Sequence, residues 1–211
     1  MKYILMIVAA LALGGCDKTL KNPFSDKPTV SAATSGEWTI AYSHGMPPQM
    51  VKKEGQYTFE FPKNGSIHYV YTKAPPLSLS KEIILSFDLE GKGTLKPVGE
   101  GDEPPASIAL YIQKKGDDVN NPGLGFGRWW SAVPMTLTPD TGHTWIARLD
   151  PKHWINVWGK SGIDHPAEFE DAIRNAEHIG FTFSGKVFRG HGLRLADGDI
   201  RFILREFTVR D

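Results

Sequence analysis

The chain has 211 residues, with 24 Lys plus Arg against 24 Asp plus Glu and no net formal charge. That balance argues against a nucleic-acid binder, which shows a strongly basic face, and one cysteine excludes both an intrachain disulfide framework and a cysteine-type zinc site. The 22 glycines, 15 prolines and 11 % aromatic content suit short strands joined by turns around one substantial core.

Lys2 gives the chain a positive start, and residues 3–13 form an almost unbroken apolar run. About eleven residues are too few to cross a hydrocarbon core, which needs roughly 20. A basic start, a short apolar region and small residues before a cut site form an export-signal pattern. Leu13-Gly14-Gly15 then leads to Cys16. This stretch resembles the signal peptide and lipobox of bacterial lipoproteins. The resemblance implies removal of residues 1–15 and diacylglycerol on the Cys16 thiol, and two or more acyl chains give stable anchoring. Loss of Lys2 leaves 23 basic against 24 acidic side chains. The resemblance places the protein in the bacterial cell envelope, held to a membrane by Cys16, and Asp17 directly after it favours the inner membrane. Residues 16–35, polar and carrying Pro23 and Pro28, read as a tether. Residues 36–211 read as the folded domain.

Strand composition opens the domain at residues 37–43, Glu-Trp-Thr-Ile-Ala-Tyr-Ser. Residues 44–53, with Pro47-Pro48, read as a loop. Residues 56–62 and 66–72 alternate on either side of Lys63-Asn64-Gly65, which predicts an antiparallel hairpin. Residues 82–90 and 106–115 are further strands; in the second, Ile108, Leu110 and Ile112 face one way and Tyr111 the other. Residues 91–105 and 116–134 read as loops, and a loop of the second one's length in a compact domain is usually functional or mobile. Strands are expected at 135–138 and 143–149. The one convincing helix spans 167–177, with Phe169, Ala172, Ile173 and Ala176 in an apolar stripe, Asp164 or His165 as its cap and Pro166 in its first turn. Residues 179–184 and 200–209 close the domain, the last with a phase break at Arg205-Glu206 that suggests a bulge.

This pattern predicts an all-β fold, a two-sheet antiparallel sandwich with one short helix. The order of Thr144 to Leu149, His153-Trp154, the helix, Ile179 to Phe183 and finally Phe202 to Val209 resembles the second half of jelly-roll carbohydrate-binding modules and galactose-binding-like domains. The resemblance covers residues 135–209 and implies a jelly-roll arrangement.

Sugar recognition pairs flat aromatic faces with a few polar groups. Arg128-Trp129-Trp130, in the glycine-rich loop, supplies both, with Asn121 nearby and Trp158 as a further aromatic. Two adjacent tryptophans cannot both point inward from a regular strand, so one of them is a candidate ligand face; the bland alternative packs both beneath the loop. Asp117, Asp118 and Asn120 offer the hard oxygen ligands that calcium prefers. The resembled modules often hold one structural calcium; no other cofactor is expected. Asp197 and Asp199 are a second possibility.

The seven histidines show no metal-binding spacing. Among them His191, between Gly190 and Gly192, sits in the most constrained-looking loop. No Gly-x-Ser-x-Gly or phosphate-loop motif occurs, and Glu100, Asp102, Glu103 and Glu168 are the carboxylates a glycosidase would draw on. The reading is therefore a membrane-anchored, non-catalytic, ligand-binding lipoprotein that binds a glycan. The alternatives are an envelope protein that contacts another protein, including one of mobile-element origin, and a hydrolase on the same scaffold. No nucleic-acid partner is expected.

Overall fold

The computed structural model describes residues 36–121 and 125–211. The expected signal peptide, Cys16 and the expected tether up to residue 35 lie outside the described residues. The domain is the jelly-roll sandwich read from the sequence: two antiparallel sheets and one short helix. The larger sheet runs β1 (Thr39–Ala41), β4 (Tyr69–Lys73), β11 (Ala176–Ser184), β6 (Ser107–Lys114), β7 (Arg128–Ser131) and β10 (Trp154–Asn156), with β8 (Met135–Thr136) on β6. The smaller runs β2 (Val51–Lys53), β3 (Gln56–Glu60), β12 (Leu193–Arg210), β5 (Glu82–Pro97) and β9 (Thr141–Arg148).

Alternation along the strands sends one set of side chains between the sheets. Phe202 of β12 lies at the centre. It stacks on Phe87 at 4.8 Å and Phe59 at 5.0 Å within its own sheet, and on Phe181 of the opposite sheet at 5.2 Å. Each such aromatic removes a large apolar area from water, and offset ring pairs add roughly 0.5–1.5 kcal/mol beyond that burial.

The expected hairpin of residues 56–62 and 66–72 does not form. β3 and β4 belong to different sheets: beyond Lys63-Asn64-Gly65, Ile67 still pairs with Leu193 of β12, and the chain passes to the larger sheet between Ile67 and Tyr69. The tight turn sits earlier, at Glu54-Gly55, where both residues have positive φ (51° and 84°) and join β2 to β3. Part of the segment read as a loop before it is therefore β2. Alternation fixes which face a residue takes, not which strand becomes its neighbour.

The expected loop at residues 91–105 is also partly strand. β5 and β12 stay paired from Glu82↔Arg210 to Leu193↔Pro97, well past residues 90 and 200. Glycine permits this: a Cβ on Gly93 would meet the Asp197 carbonyl oxygen at 2.3 Å. The phase break expected at Arg205-Glu206 is present, as a register shift between Leu204 and Glu206.

The helix α1 (Pro166–Arg174) ends before residue 177 because Ala176 already belongs to β11. His165 is its N-cap residue, without a side-chain capping bond, and Pro166 opens the first turn. Phe169, Ala172 and Ile173 are its buried stripe. Phe169 meets Trp129 edge-on at 5.0 Å and Trp154 at 6.1 Å, which docks the helix beside β7 and β10.

Candidate functional site

Residues 128–131 were expected in a loop, yet they form β7, paired with Gln113, Ile112 and Tyr111 of β6 on one side and with β10 on the other. Strand alternation then separates the two tryptophans. Trp129 turns into the core and is fully buried, its Nε1 donating to the Phe126 carbonyl at 3.0 Å. It presents no face to a ligand. Trp130 turns to the outer face of the larger sheet, where Tyr69, Tyr111 and Ala109 form a second apolar cluster with it, packed by Ala41, Tyr71 and Val157.

That outer face carries a row of rings. Tyr42, just after β1, meets Tyr69 of β4 at 5.3 Å. Tyr69 meets Tyr111 of β6 at 5.1 Å, and Tyr111 meets Trp130 of β7 at 5.6 Å. β11 runs between β4 and β6, and Gly180 lies opposite both Tyr71 and Tyr111. A Cβ there would sit 2.1 Å from the Val70 carbonyl oxygen and 2.6 Å from the Tyr71 Cα. The small Ala109 on β6 likewise leaves room beside the large rings.

The row is buried in its middle and open at its rim. Tyr111 and Trp130 are at most 4 % exposed, whereas Tyr42 is 45 % exposed and Tyr71 half-buried. Burial pushes the Tyr69 phenol up to about 12 and raises that of Tyr111 well above its usual value. Tyr42 has φ 56°, a left-handed conformation that a bulky side chain rarely adopts. Such strain persists only where the surroundings hold it, and it clusters at ligand-contacting positions. Among the described residues, the Tyr111 hydroxyl, the Trp130 indole N–H and the Thr182 hydroxyl are buried without a hydrogen-bond partner. Each is a group that a bridging water would satisfy.

A polar string borders the rings. His178 Nδ1 donates to Gln113 Oε1 at 3.1 Å, and Gln113 Nε2 donates to Asp117 Oδ2 at 2.9 Å. The same Asp117 oxygen lies 2.9 Å from Arg128 Nε, with both side chains at most 5 % exposed. The terminal nitrogens of Arg128 donate to the Asp118 and Val119 carbonyls at 3.3 Å. Tyr71 packs on the His178 ring at 4.4 Å. Burial lowers the pKa of His178, and it raises that of Asp117 despite the Gln113 hydrogen bond and the Arg128 charge.

Arg128 is not a free ligand group: it ties the loop after β6 to β7 through Asp117. The Asp117 carboxylate, a calcium candidate, faces that guanidinium, and Asp118 Oδ1 accepts from the Asn120 N–H at 2.9 Å as a local turn. Among the described residues no group of three or more His, Cys, Asp or Glu is arranged to hold a metal. Asn121 lies exposed in the same loop, its N–H bonded to the Asp118 carbonyl. Asp102 is occupied: its carboxylate accepts from the backbone N–H groups of Glu103, Gly185, Val187 and Phe188.

Trp158 is 48 % exposed, in the turn that follows β10 at the sheet edge opposite β1. The buried Asn156 Oδ1 holds that turn by accepting from the N–H groups of Trp158 and Lys160. Gly125 lies under the indole, where a Cβ would come within 2.5 Å of it. Phe126 meets Trp158 edge-on at 5.0 Å. An open aromatic thus stands near each edge of the same sheet, Tyr42 at one and Trp158 at the other.

The sequence reading missed Tyr42, Tyr69, Tyr71, Gln113 and His178. The available signal was parity: Tyr111 alternates against Ile108, Leu110 and Ile112, and Tyr69 and Tyr71 flank the inward Val70.

No family model and no curated protein matches the chain. Among solved structures the chain is similar to a xylan-binding module, CBM15, with a TM-score of 0.40 and 12 % identity, over 82 % of this chain and 94 % of that one. It is also similar to a structure described by the words "Prominent members of the human gut microbiota express endo-acting O-glycanases to initiate mucin breakdown". There the TM-score is 0.36 at 12 % identity, over 87 % of this chain and 96 % of the other.

Proposed function

We propose that this protein binds a glycan on the outer face of its larger sheet. The observation that carries the reading is Tyr42, a strained and open aromatic at the rim of a ring row bordered by Gln113, Asp117 and His178. Flat rings take the apolar face of a sugar, and polar groups at their rim take its hydroxyls. Trp158 stands open near the opposite edge of that sheet. Titration of the protein with a panel of soluble glycans, including cell-wall fragments, tests this. Tyr42→Ala is expected to weaken binding at least about tenfold, close to 1.4 kcal/mol, with the fold intact by circular dichroism. A flat panel, or affinity unchanged in Tyr42→Ala, removes the proposal.

The anchoring part of the proposal rests on Lys2, the apolar run and Leu13-Gly14-Gly15-Cys16. In a bacterial host, metabolic labelling with a clickable fatty acid is expected to mark the protein and fractionate it with membranes. Cys16→Ser is expected to lose the label. Label retained in that variant overturns the anchor.

A second reading, contact with another envelope protein, draws on a different place. A groove of about 520 Å³ is lined by Val133, Trp145, Ile146 and Arg148 among others, and Val133 and Ile146 are 77 % and 53 % exposed. Crosslinking in membranes followed by co-purification distinguishes that contact from glycan binding.

A further inference from the structure

The loop holding Gly190-His191-Gly192 closes over a second cluster, at the end of the sandwich where Tyr42 emerges. Ser66 Oγ lies 2.7 Å from His68 Nε2. On the other side of the ring, His68 Nδ1 lies 3.1 Å from the Gly190 carbonyl oxygen. A carbonyl can only accept, so Nδ1 carries the proton. Nε2 is then the bare nitrogen, and it takes its hydrogen bond from the Ser66 hydroxyl. This is the arrangement of a serine nucleophile with a histidine base whose tautomer is fixed by a third group.

The fold holds the imidazole from several sides. The His68 N–H donates to Ser43 Oγ at 3.0 Å. Gly192, at φ 92°, lies against the ring so closely that a Cβ would come 2.5 Å from Nε2. Gly190, at φ 73°, packs against the Tyr69 hydroxyl, where a Cβ would come within 2.5 Å. Both glycines are therefore required by close approach as well as by backbone conformation. His44, exposed, approaches His68 edge-on with ring centroids 6.2 Å apart, and its backbone pairs with that of Ser66 in both directions. His191 is exposed and stacks on Phe188 at 4.5 Å. Burial lowers the pKa of His68, with His44 and His191 adding to the shift. Despite the opposing Gly190 hydrogen bond, the net shift favours the neutral imidazole.

We propose that Ser66 and His68 form an esterase dyad acting on a small acyl ester, an acetyl group on a hydroxylated compound. Ser66 is 5 % exposed, so the ester it takes must present a slender acyl group. Oγ attacks the ester carbonyl carbon, and a new Oγ–C bond forms as the C–O bond to the alcohol breaks. The Ser66 proton passes to Nε2 and on to the departing alkoxide, which leaves as the alcohol. Water then attacks the acyl-serine and gives a proton to Nε2. The carboxylic acid leaves as that proton returns to Ser66 Oγ. This activity goes beyond glycan binding and does not depend on it.

The test treats the full chain with an alkyl fluorophosphonate, maps the adduct by mass spectrometry, and follows 4-nitrophenyl acetate hydrolysis in parallel. A stoichiometric adduct on Ser66 is expected, with both adduct and turnover absent in Ser66→Ala. His68→Gln is expected to slow labelling at least about a hundredfold, the lower end of what a positioned base contributes. No adduct on Ser66 of the unsubstituted protein overturns the proposal whether or not either variant folds. Turnover unchanged in Ser66→Ala overturns it as well. Glycan titration, read separately, shows whether the ring face stands or falls on its own.

Discussion

Trp129→Ala is expected to destabilise the domain by about 3–5 kcal/mol, the range for removing a large buried aromatic, read as a shift of the denaturant midpoint. The indole is wholly buried, meets Phe169 of the helix edge-on at 5.0 Å and donates to the Phe126 carbonyl. Truncation opens a cavity between β7 and α1 and leaves that carbonyl without its donor. A core residue gives up stability at any ligand concentration, whereas a ligand face gives up affinity and leaves the midpoint in place. A midpoint moved by less than about 1 kcal/mol would show that the indole is not the joint between helix and sheet. Glycan affinity measured on the folded fraction is expected to stay near that of the unsubstituted protein.

Arg128→Ala is expected to cost a similar amount, about 3–5 kcal/mol, because it leaves a buried carboxylate without its counter-charge. Asp117 retains only the Gln113 amide, and the loop loses the two guanidinium donors on the Asp118 and Val119 carbonyls. The pH dependence has a definite sign. Burial already holds the Asp117 pKa above its ordinary 3.8, and removal of Arg128 takes away a charge that lowers it. The folded variant therefore binds a proton more tightly than the unfolded chain. Stability falls as pH rises through the window between 3.8 and the raised value. The penalty of Arg128→Ala should shrink on acidification toward pH 4, and the double substitution Arg128→Ala, Asp117→Ala should recover much of the loss at neutral pH. Urea unfolding of the unsubstituted protein and the two variants at both pH values checks this. A double variant no more stable than Arg128→Ala would show that the carboxylate is not what makes the single substitution costly.

Both predictions concern residues that the sequence presented as ligand groups. Residues 116–134, rich in Gly, Asn and Asp, carry turn chemistry throughout most of their length, and a four-residue strand inside them is too short for alternation to declare itself. What makes Arg128–Ser131 a strand is β6 on one side and β10 on the other, and β10 lies more than twenty residues further along the chain. The dyad was legible only in part. Ser66 and His68 stand at i and i+2 on one side of an extended segment, but the carbonyl that fixes the His68 tautomer comes from Gly190, 122 positions away.

The sequence by itself determined what depends on local periodicity. Alternation of period two and abundant turn residues defined an all-β domain. A stripe at three and four defined one helix, and a slip in phase at Arg205-Glu206 marked the register shift in β12. Tertiary structure alone decided which strands became neighbours: β3 pairs with β12, not with β4, because pairing depends on how the two sheets bury their faces against each other. It also decided the ring row. Tyr42, Tyr69, Tyr111 and Trp130 come from four separate segments, and no local pattern ties them together. Only the lateral order β1-β4-β11-β6-β7 brings those rings onto one face, with Gly180 making room between them.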